Sequence, residues 1–442
     1  MPPSIFTLIE PRWIVPVIPS GAVLTDHAVV VQNELIKAVL PTGEARARYP
    51  SANITILPEH VLMPGLINAH VHSAMTLLRG FADDLSLMAW LEDYIWPVEG
   101  AHVDETFVFD GTLLAAAEML STGTTCAVDS YFFPEAAARA FSQAGIRAQV
   151  NMPVIQFPTA WARTEAEHIT KGLAFHDSIR ADPLITTAFA PHSPYTVTDE
   201  TFRRIETLAQ ELELAIHLHL HETADEINKG RDRHGKRPYR HMVDLGLAGP
   251  HLQTVHMTQL ESQEIDDLAL HGIHVAHCPE SNMKLASGVC PAAQLLAAGV
   301  NIALGTDGAA SNNNLDMFGT MRAAALLAKV AGKPTDLPAW QVLEAATLGG
   351  ARMLAREAEL GSIEPGKRAD LTAVDLSGPT TQPVYDPIST LVYAASGADV
   401  SHTWVGGQAV YALGHTTNID YGSLLKTIKG WGRRISSHGD GA

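Results

Sequence analysis

An apolar run of this chain ends in two imidazoles. It reads LMPGLINAHVHSAMTLLRG, residues 62–80, with His70 and His72 two positions apart. Side chains at i and i+2 share one face of a strand, so a strand ending here sends both rings into one cavity. Neutral imidazole is the commonest protein ligand for zinc-class ions. The pair alone says little, because the chain has 21 histidines and chance spacings are expected. Three later segments add to it. AIHLHLHET holds His219 and Glu222, LQTVHMTQL holds His256, and VNIALGTDGAASNN holds Asp307. Each polar residue stands at or just past the end of a short apolar run. Histidines and a carboxylate that hold a divalent ion leave room for a water. Such an ion lowers the water's pKa from about 16 to roughly 7, which makes hydroxide available at neutral pH. Other nucleophile schemes find no support: the chain has no G-x-S-x-G elbow, no Walker A loop and no G-x-G-x-x-G.

The elements that must position these residues follow from the alternation of patterns. Strand-like runs occur at 62–72, 124–131, 146–155, 184–195, 214–220, 252–257, 272–278 and 300–307. Helix-like stretches lie between them, several closed by glycine. Eight strands alternating with helices over about 300 residues predict an α/β fold, a (β/α)8 barrel. Parallel barrels place reactive residues at the C-terminal ends of their strands, which is where these residues fall. The two ends of the chain read differently. Residues 1–61 and 363–418 carry short β-like runs, with Gly406-Gly407 as a hairpin signal. They are expected to pair into one small, discontinuous β-sandwich domain beside a catalytic barrel at 62–362. Residues 419–442 are expected to form a C-terminal helix over 421–436 and a disordered tail.

Composition narrows the function classes. At 442 residues, 46% hydrophobic and 18% charged, the chain has ample material for a large core. A net charge of -18 argues against a nucleic-acid binder but not against a small neutral nucleoside. No apolar run reaches the roughly 18 residues of a membrane span, and the N-terminus shows no secretory pattern. Three scattered cysteines give no disulfide framework. A cytoplasmic protein without membrane or nucleic-acid partners is the expectation.

The motifs MPGLINAHVH (63–72), HLHET (219–223), His256 and LGTDGAASNN (304–313) stand together in one order and spacing. On them the chain resembles the metal-dependent amidohydrolase superfamily, in its mononuclear deaminase branch. MTLLRGFADDLSLMAWLEDYIWPVE (75–99) and APHSPYT (190–196) are similar to segments of the 5′-methylthioadenosine/S-adenosylhomocysteine deaminases. The resemblance implies His70, His72, His219 and Asp307 as ligands of one divalent ion per chain, zinc first and iron(II) as the alternative. It implies Glu222 as proton shuttle and His256 as the residue that orients the attacking water. It implies Glu99 for ribose hydroxyls and His192 as a substrate contact. A homo-oligomer is the expected assembly. Binuclear relatives carry a lysine on the fourth strand. LITTAFAPHSPY has none, so one ion is expected. The family often has an arginine on the third strand for a homocysteine carboxylate. Here that position is Asn151, with Arg163 in the following loop as a partial substitute. Methylthioadenosine and adenosine are therefore favoured over S-adenosylhomocysteine. A guanine or s-triazine substrate, or a nucleoside-binding barrel without turnover, are the alternative readings.

The residues fit this chemistry on their own terms. Hydrolytic removal of an amino group from a purine needs a carboxyl that takes a proton from water and passes it to a ring nitrogen. Glu222, three residues past His219, is placed for that work. Asp307 can both hold the ion and accept a proton.

Overall fold

The computed structural model describes residues 6–439. Short parallel strands alternate with helices through the middle of the chain, as the pattern predicts. They form two arcs. One has four strands, in the order Ile185–Thr186, Arg147–Val150, Thr124–Asp129, Leu66–Val71. The other has six, in the order Asn301–Leu304, His274–His277, Leu252–His256, Ile216–Leu220, Phe189–Pro191, Met152–Val154. The arcs meet where two strand runs are interrupted, at Asn151 and at residues 187–188. At the other seam, Asp307 N–H donates to the His70 carbonyl at 3.0 Å, and Thr306 N–H to Asn68 Oδ1 at 3.0 Å. Gly305 permits this approach: a Cβ there would lie 2.7 Å from the His70 amide nitrogen.

Local chemistry sets the helix boundaries. Thr164, Thr198 and Thr223 accept N–H bonds at the starts of Glu165–Ser178, Asp199–Leu212 and Ala224–His234. Gly145, Gly235 and Gly272 end their helices in the left-handed conformation. The alanine-rich faces of Glu105–Ser121 and Pro134–Ala144 are buried in the main core. Among the described residues, no helix is long and apolar enough to cross a membrane.

The chain ends share a nine-stranded mixed sheet. Leu371–Asp375 runs antiparallel to Asn53–Pro64, which joins the N-terminal strands to the C-terminal ones. Ile9, Val31, Leu62, Leu371 and Trp404 pack together on one of its faces. Gly406 and Gly407 turn the hairpin between Val400–Val405 and Gln408–Ala412, both at positive φ. The opening run is divided. Residues 62–64 pair with Leu371–Ala373 in the small sheet, and the strand of the four-stranded arc begins only at Leu66. Gly65 is the joint, since a Cβ there would lie 2.1 Å from Thr125 Oγ1. The last helix spans Tyr421–Gly439, three residues more than the expected 421–436. Of the tail expected to be disordered, residues 440–442 lie outside the described residues.

Candidate active site

The strand ends deliver His70, His72, His219, His256 and Asp307 to one rim. One ligand atom each from His70, His72 and His219 lies within 4.8 Å of the others, as for His70, His256 and Asp307. Asp307 Oδ1 stands 3.4 Å from His70 Nε2 and 3.3 Å from His72 Nε2. The Nε2 atoms of His70 and His219 are 3.2 Å apart.

Hydrogen bonds on the far side of each ring decide which nitrogen carries the proton. His219 Nδ1 faces the His192 carbonyl at 2.8 Å, and His72 Nδ1 faces the Ser130 carbonyl. A carbonyl only accepts, so both rings hold their proton on Nδ1 and leave Nε2 bare. His70 is set by a relay. Gln253 donates Nε2–H to the Met353 carbonyl at 2.7 Å, which turns its Oε1 toward His217 Nδ1 at 3.1 Å. His217 thus donates from Nδ1 and offers a bare Nε2 to His70 Nδ1 at 2.8 Å. Three lone pairs converge beside a carboxylate. Burial lowers the pKa of His70 to about 4 and holds His219 well below the usual imidazole range. The donor set fits a borderline divalent ion, and bare nitrogens at this separation repel one another without a positive charge among them.

The carboxylates are held differently. Asp307 Oδ2 accepts from Ser281 Oγ at 2.6 Å and Ser311 Oγ at 3.0 Å, which leaves Oδ1 toward the imidazoles. Burial alone would raise its pKa, but His70 and the other imidazoles pull it well below the usual carboxylate range. Burial raises the pKa of Glu222, whose Oε2 lies 3.9 Å from His256 Nε2. Asn282 Oδ1 fixes His256 through Nδ1 at 2.9 Å. His256 and Asp307 have φ of 75° and 64°. Non-glycine residues there cost on the order of 1–3 kcal/mol each and gather at functional sites.

These groups form the floor of a cavity of about 480 Å³, ordinary for a small organic ligand. Its wall is mostly apolar and aromatic, with Trp90, Ile95, Phe132 and Phe157 among its residues. Glu99 lines it and accepts from Tyr131 Oη at 2.5 Å, and burial pushes the Glu99 pKa up to about 7. His192 lines it as well, its pKa lowered to about 4 by burial. Among the described residues, no lysine or arginine lines the cavity.

Two residues expected at the site are elsewhere. Asn151 is fully buried but not on the wall; it donates to Ser130 Oγ at 2.8 Å and accepts from Gln149 at 2.9 Å. Arg163 is exposed and off the wall, although Phe157–Ala160 of its loop line the cavity. One residue was not foreseen. Glu226 is 4% exposed, and its two oxygens accept the N–H groups of His221 and Glu222, each at 2.8 Å. Burial pushes its pKa up to about 8 against the pull of those donors. Its position four residues after Glu222, in the first turn of a capped helix, was the available signal.

A model of the amidohydrolase family matches residues 61–410. The chain belongs to the amidohydrolase family. Within the family it is 46% identical over 430 residues to a 5-methylthioadenosine/S-adenosylhomocysteine deaminase of Teredinibacter turnerae, covering 97% of each chain. It is 45% identical over 431 residues to the protein of that name from Saccharophagus degradans, again over 97% of each. Among solved structures, an adenosine deaminase from Xanthomonas campestris with bound zinc is similar at 50% identity and TM-score 0.96, over 98% of both chains. Atrazine chlorohydrolase TrzN from Arthrobacter aurescens, complexed with zinc, is 22% identical with TM-score 0.89, over 96% of this chain and 99% of its own. At that identity the likeness extends to the fold alone.

Proposed function

We propose that this protein is a hydrolytic deaminase of 6-aminopurine nucleosides, with 5′-methylthioadenosine its best substrate, adenosine next and S-adenosylhomocysteine third. The observation that carries the reading is three bare imidazole nitrogens and one carboxylate converging at a cavity that also holds a buried glutamate. The names of the two curated relatives and of the zinc-bound adenosine deaminase support it.

In this reading His70, His72, His219 and Asp307 hold one divalent ion, zinc by analogy with the Xanthomonas protein. When bound, such an ion makes hydroxide available near neutral pH. The chain's own groups do the rest. Glu222 takes one proton from the attacking water and delivers it to N1 of the purine, and its raised pKa suits a group that must hold a proton between two transfers. His256, fixed by Asn282, aims its bare Nε2 at the water. Asp307 accepts the second water proton and passes it to the departing amine. Oxygen stays on C6, the C6–N bond breaks, and ammonia leaves. Glu99, with Tyr131 behind it, takes the ribose hydroxyls, and His192 contacts the base.

The substrate order follows from the wall. A homocysteine tail carries a carboxylate, for which a bidentate arginine is the best partner. With Asn151 spent on Ser130 and Gln149, and Arg163 off the wall, no such partner is at hand. A methylthio group asks only for apolar contact.

The fold reading is extended in the same way. The two arcs close at the Asn68–Thr306 and His70–Asp307 seam into an eight-position barrel. The small sheet curls over its apolar face into a sandwich, aided by bonds of Ile36 and Ala369 N–H to the Lys367 and Glu34 carbonyls. The division at about residues 61 and 363 then separates the two units.

Glu222→Gln tests the chemistry. The variant is expected to keep its zinc and most of its affinity for methylthioadenosine while turnover falls by at least about 100-fold. Near-normal turnover would place the proton carrier elsewhere.

A further inference from the structure

Outside the cavity, three helix ends bring a second set of metal-ligand types together. Asp199 opens the helix Asp199–Leu212, His234 closes Ala224–His234, and His241 lies in Pro238–Asp244. His241 Nε2 stands 2.9 Å from Asp199 Oδ1. The rings of His234 and His241 stack with centroids 3.8 Å apart and planes 20° from parallel. One ligand atom from each residue lies within 4.8 Å of the other two. None of the three lines the catalytic cavity.

An ion pair between Asp199 and His241 accounts for only part of this. It gives no reason for His234 to lie face to face on the same imidazole. Zinc holds nitrogen and oxygen at about 2.0–2.2 Å, so neighbouring ligands of a tetrahedral ion stand about 3.3–3.6 Å apart. The 2.9 Å pair and the 4.8 Å limit bracket that spacing, and small rotations about the side-chain bonds reach it. Two of the nearby cations have other partners: Lys236 pairs with Asp244 at 2.6 Å, and Arg233 leans on the Tyr195 carbonyl at 3.5 Å. Two imidazoles and one carboxylate suit a first-row ion of the zinc class better than calcium or magnesium.

We propose that Asp199, His234 and His241 form a second divalent-metal site of the zinc class, separate from the rim cluster. An ion there pins the far end of the helix whose first turn holds Glu226, and Glu226 in turn holds the backbone of Glu222. The eight residues of helix between Glu226 and His234 put the two about 12 Å apart, too far to share a ligand with the rim.

The test is equilibrium dialysis of the full-length protein, already loaded with one zinc equivalent, against rising zinc near pH 7.5. Wild type is expected to take up a second equivalent. His234→Ala and Asp199→Asn are each expected to weaken that second step by at least about 10-fold and to leave the first equivalent and the folded state, read by circular dichroism, unchanged. Uptake of one equivalent by wild type, or a second equivalent untouched by both substitutions, overturns the proposal. The readout is a difference between wild type and each variant, so it stands apart from what the rim cluster binds and from which nucleoside is turned over.

Discussion

The floor and the wall of the cavity are built by different rules. On the floor hydrogen bonds set the rings and the carboxylate: Met353 sets Gln253, Gln253 sets His217, and His217 sets His70. Ser281 and Ser311 set Asp307, and Asn282 sets His256. The wall is held mainly by packing. It comes from the short helical pieces between Leu87 and His102, one of them a π-helical turn at Leu91–Ile95, and from the loop around Phe157. Trp96 and Phe157 remain 39% and 49% exposed. A hydrogen-bonded relay tolerates no change of tautomer, whereas an apolar surface tolerates many changes of shape. On the proposed function the floor fixes the reaction, and the wall selects the substrate.

The sharpest way to break this division is to cut the relay without touching a proposed ligand. His217→Ala removes the ring that faces His70 Nδ1, and zinc affinity or turnover is expected to fall by about 10–100-fold. Metal titration together with kcat on one nucleoside checks this. An unchanged variant would mean that the relay does not set the tautomer.

Glu226→Gln acts one step further out. A glutamine offers one carbonyl where two N–H groups need acceptors, and one unmet donor costs about 1–3 kcal/mol. The expectation is a fall in kcat of about 10-fold with KM within about 2-fold, because the substitution keeps the size of a side chain that also lines the cavity and acts by loosening Glu222. A change confined to KM would assign Glu226 to substrate binding instead.

Arg163→Ala gives the smallest effect. An exposed residue off the wall is expected to change kcat/KM by less than about 2-fold on methylthioadenosine, adenosine and S-adenosylhomocysteine alike. A selective loss on S-adenosylhomocysteine would show that its loop folds inward in the complex and would reverse the substrate order.

The same division explains what could be read from the sequence. His70 and His72 were legible because a strand repeats every two residues, and Asp307 because an apolar run ends just before it. The alternation of strands and helices was legible for the same reason. Gly65 as the joint between two sheets was announced only by the Pro64-Gly65 turn signal inside an otherwise continuous strand-like run; the change of sheet comes from the antiparallel pairing with Leu371–Ala373. Asn151 was placed by analogy on the third strand. Its position there is right, but Ser130 and Gln149, from two strands, claim its side chain. The exposed place of Arg163 off the wall could not be read, because the course of a loop over a wall leaves no periodic trace. Glu226 could be read as a first-turn acid of a helix. Its return to the backbone of Glu222 depends on a turn in which His221 adopts φ of 53°, which no residue pattern announces.

The most direct measurement of the central claim is ammonia release by the zinc-loaded protein from a panel of amines, with the adenosine-type ultraviolet band followed in parallel. The panel holds methylthioadenosine, adenosine, S-adenosylhomocysteine, guanine and an amino-s-triazine. The account predicts one ammonia per nucleoside consumed and a shift to the inosine-type spectrum. It also predicts kcat/KM for methylthioadenosine at least about 10-fold above that for S-adenosylhomocysteine, since a missing charge-assisted bond is worth roughly 1.5–3 kcal/mol. Turnover of guanine or the triazine with none on the three adenine nucleosides, or tight nucleoside binding without ammonia, would contradict it.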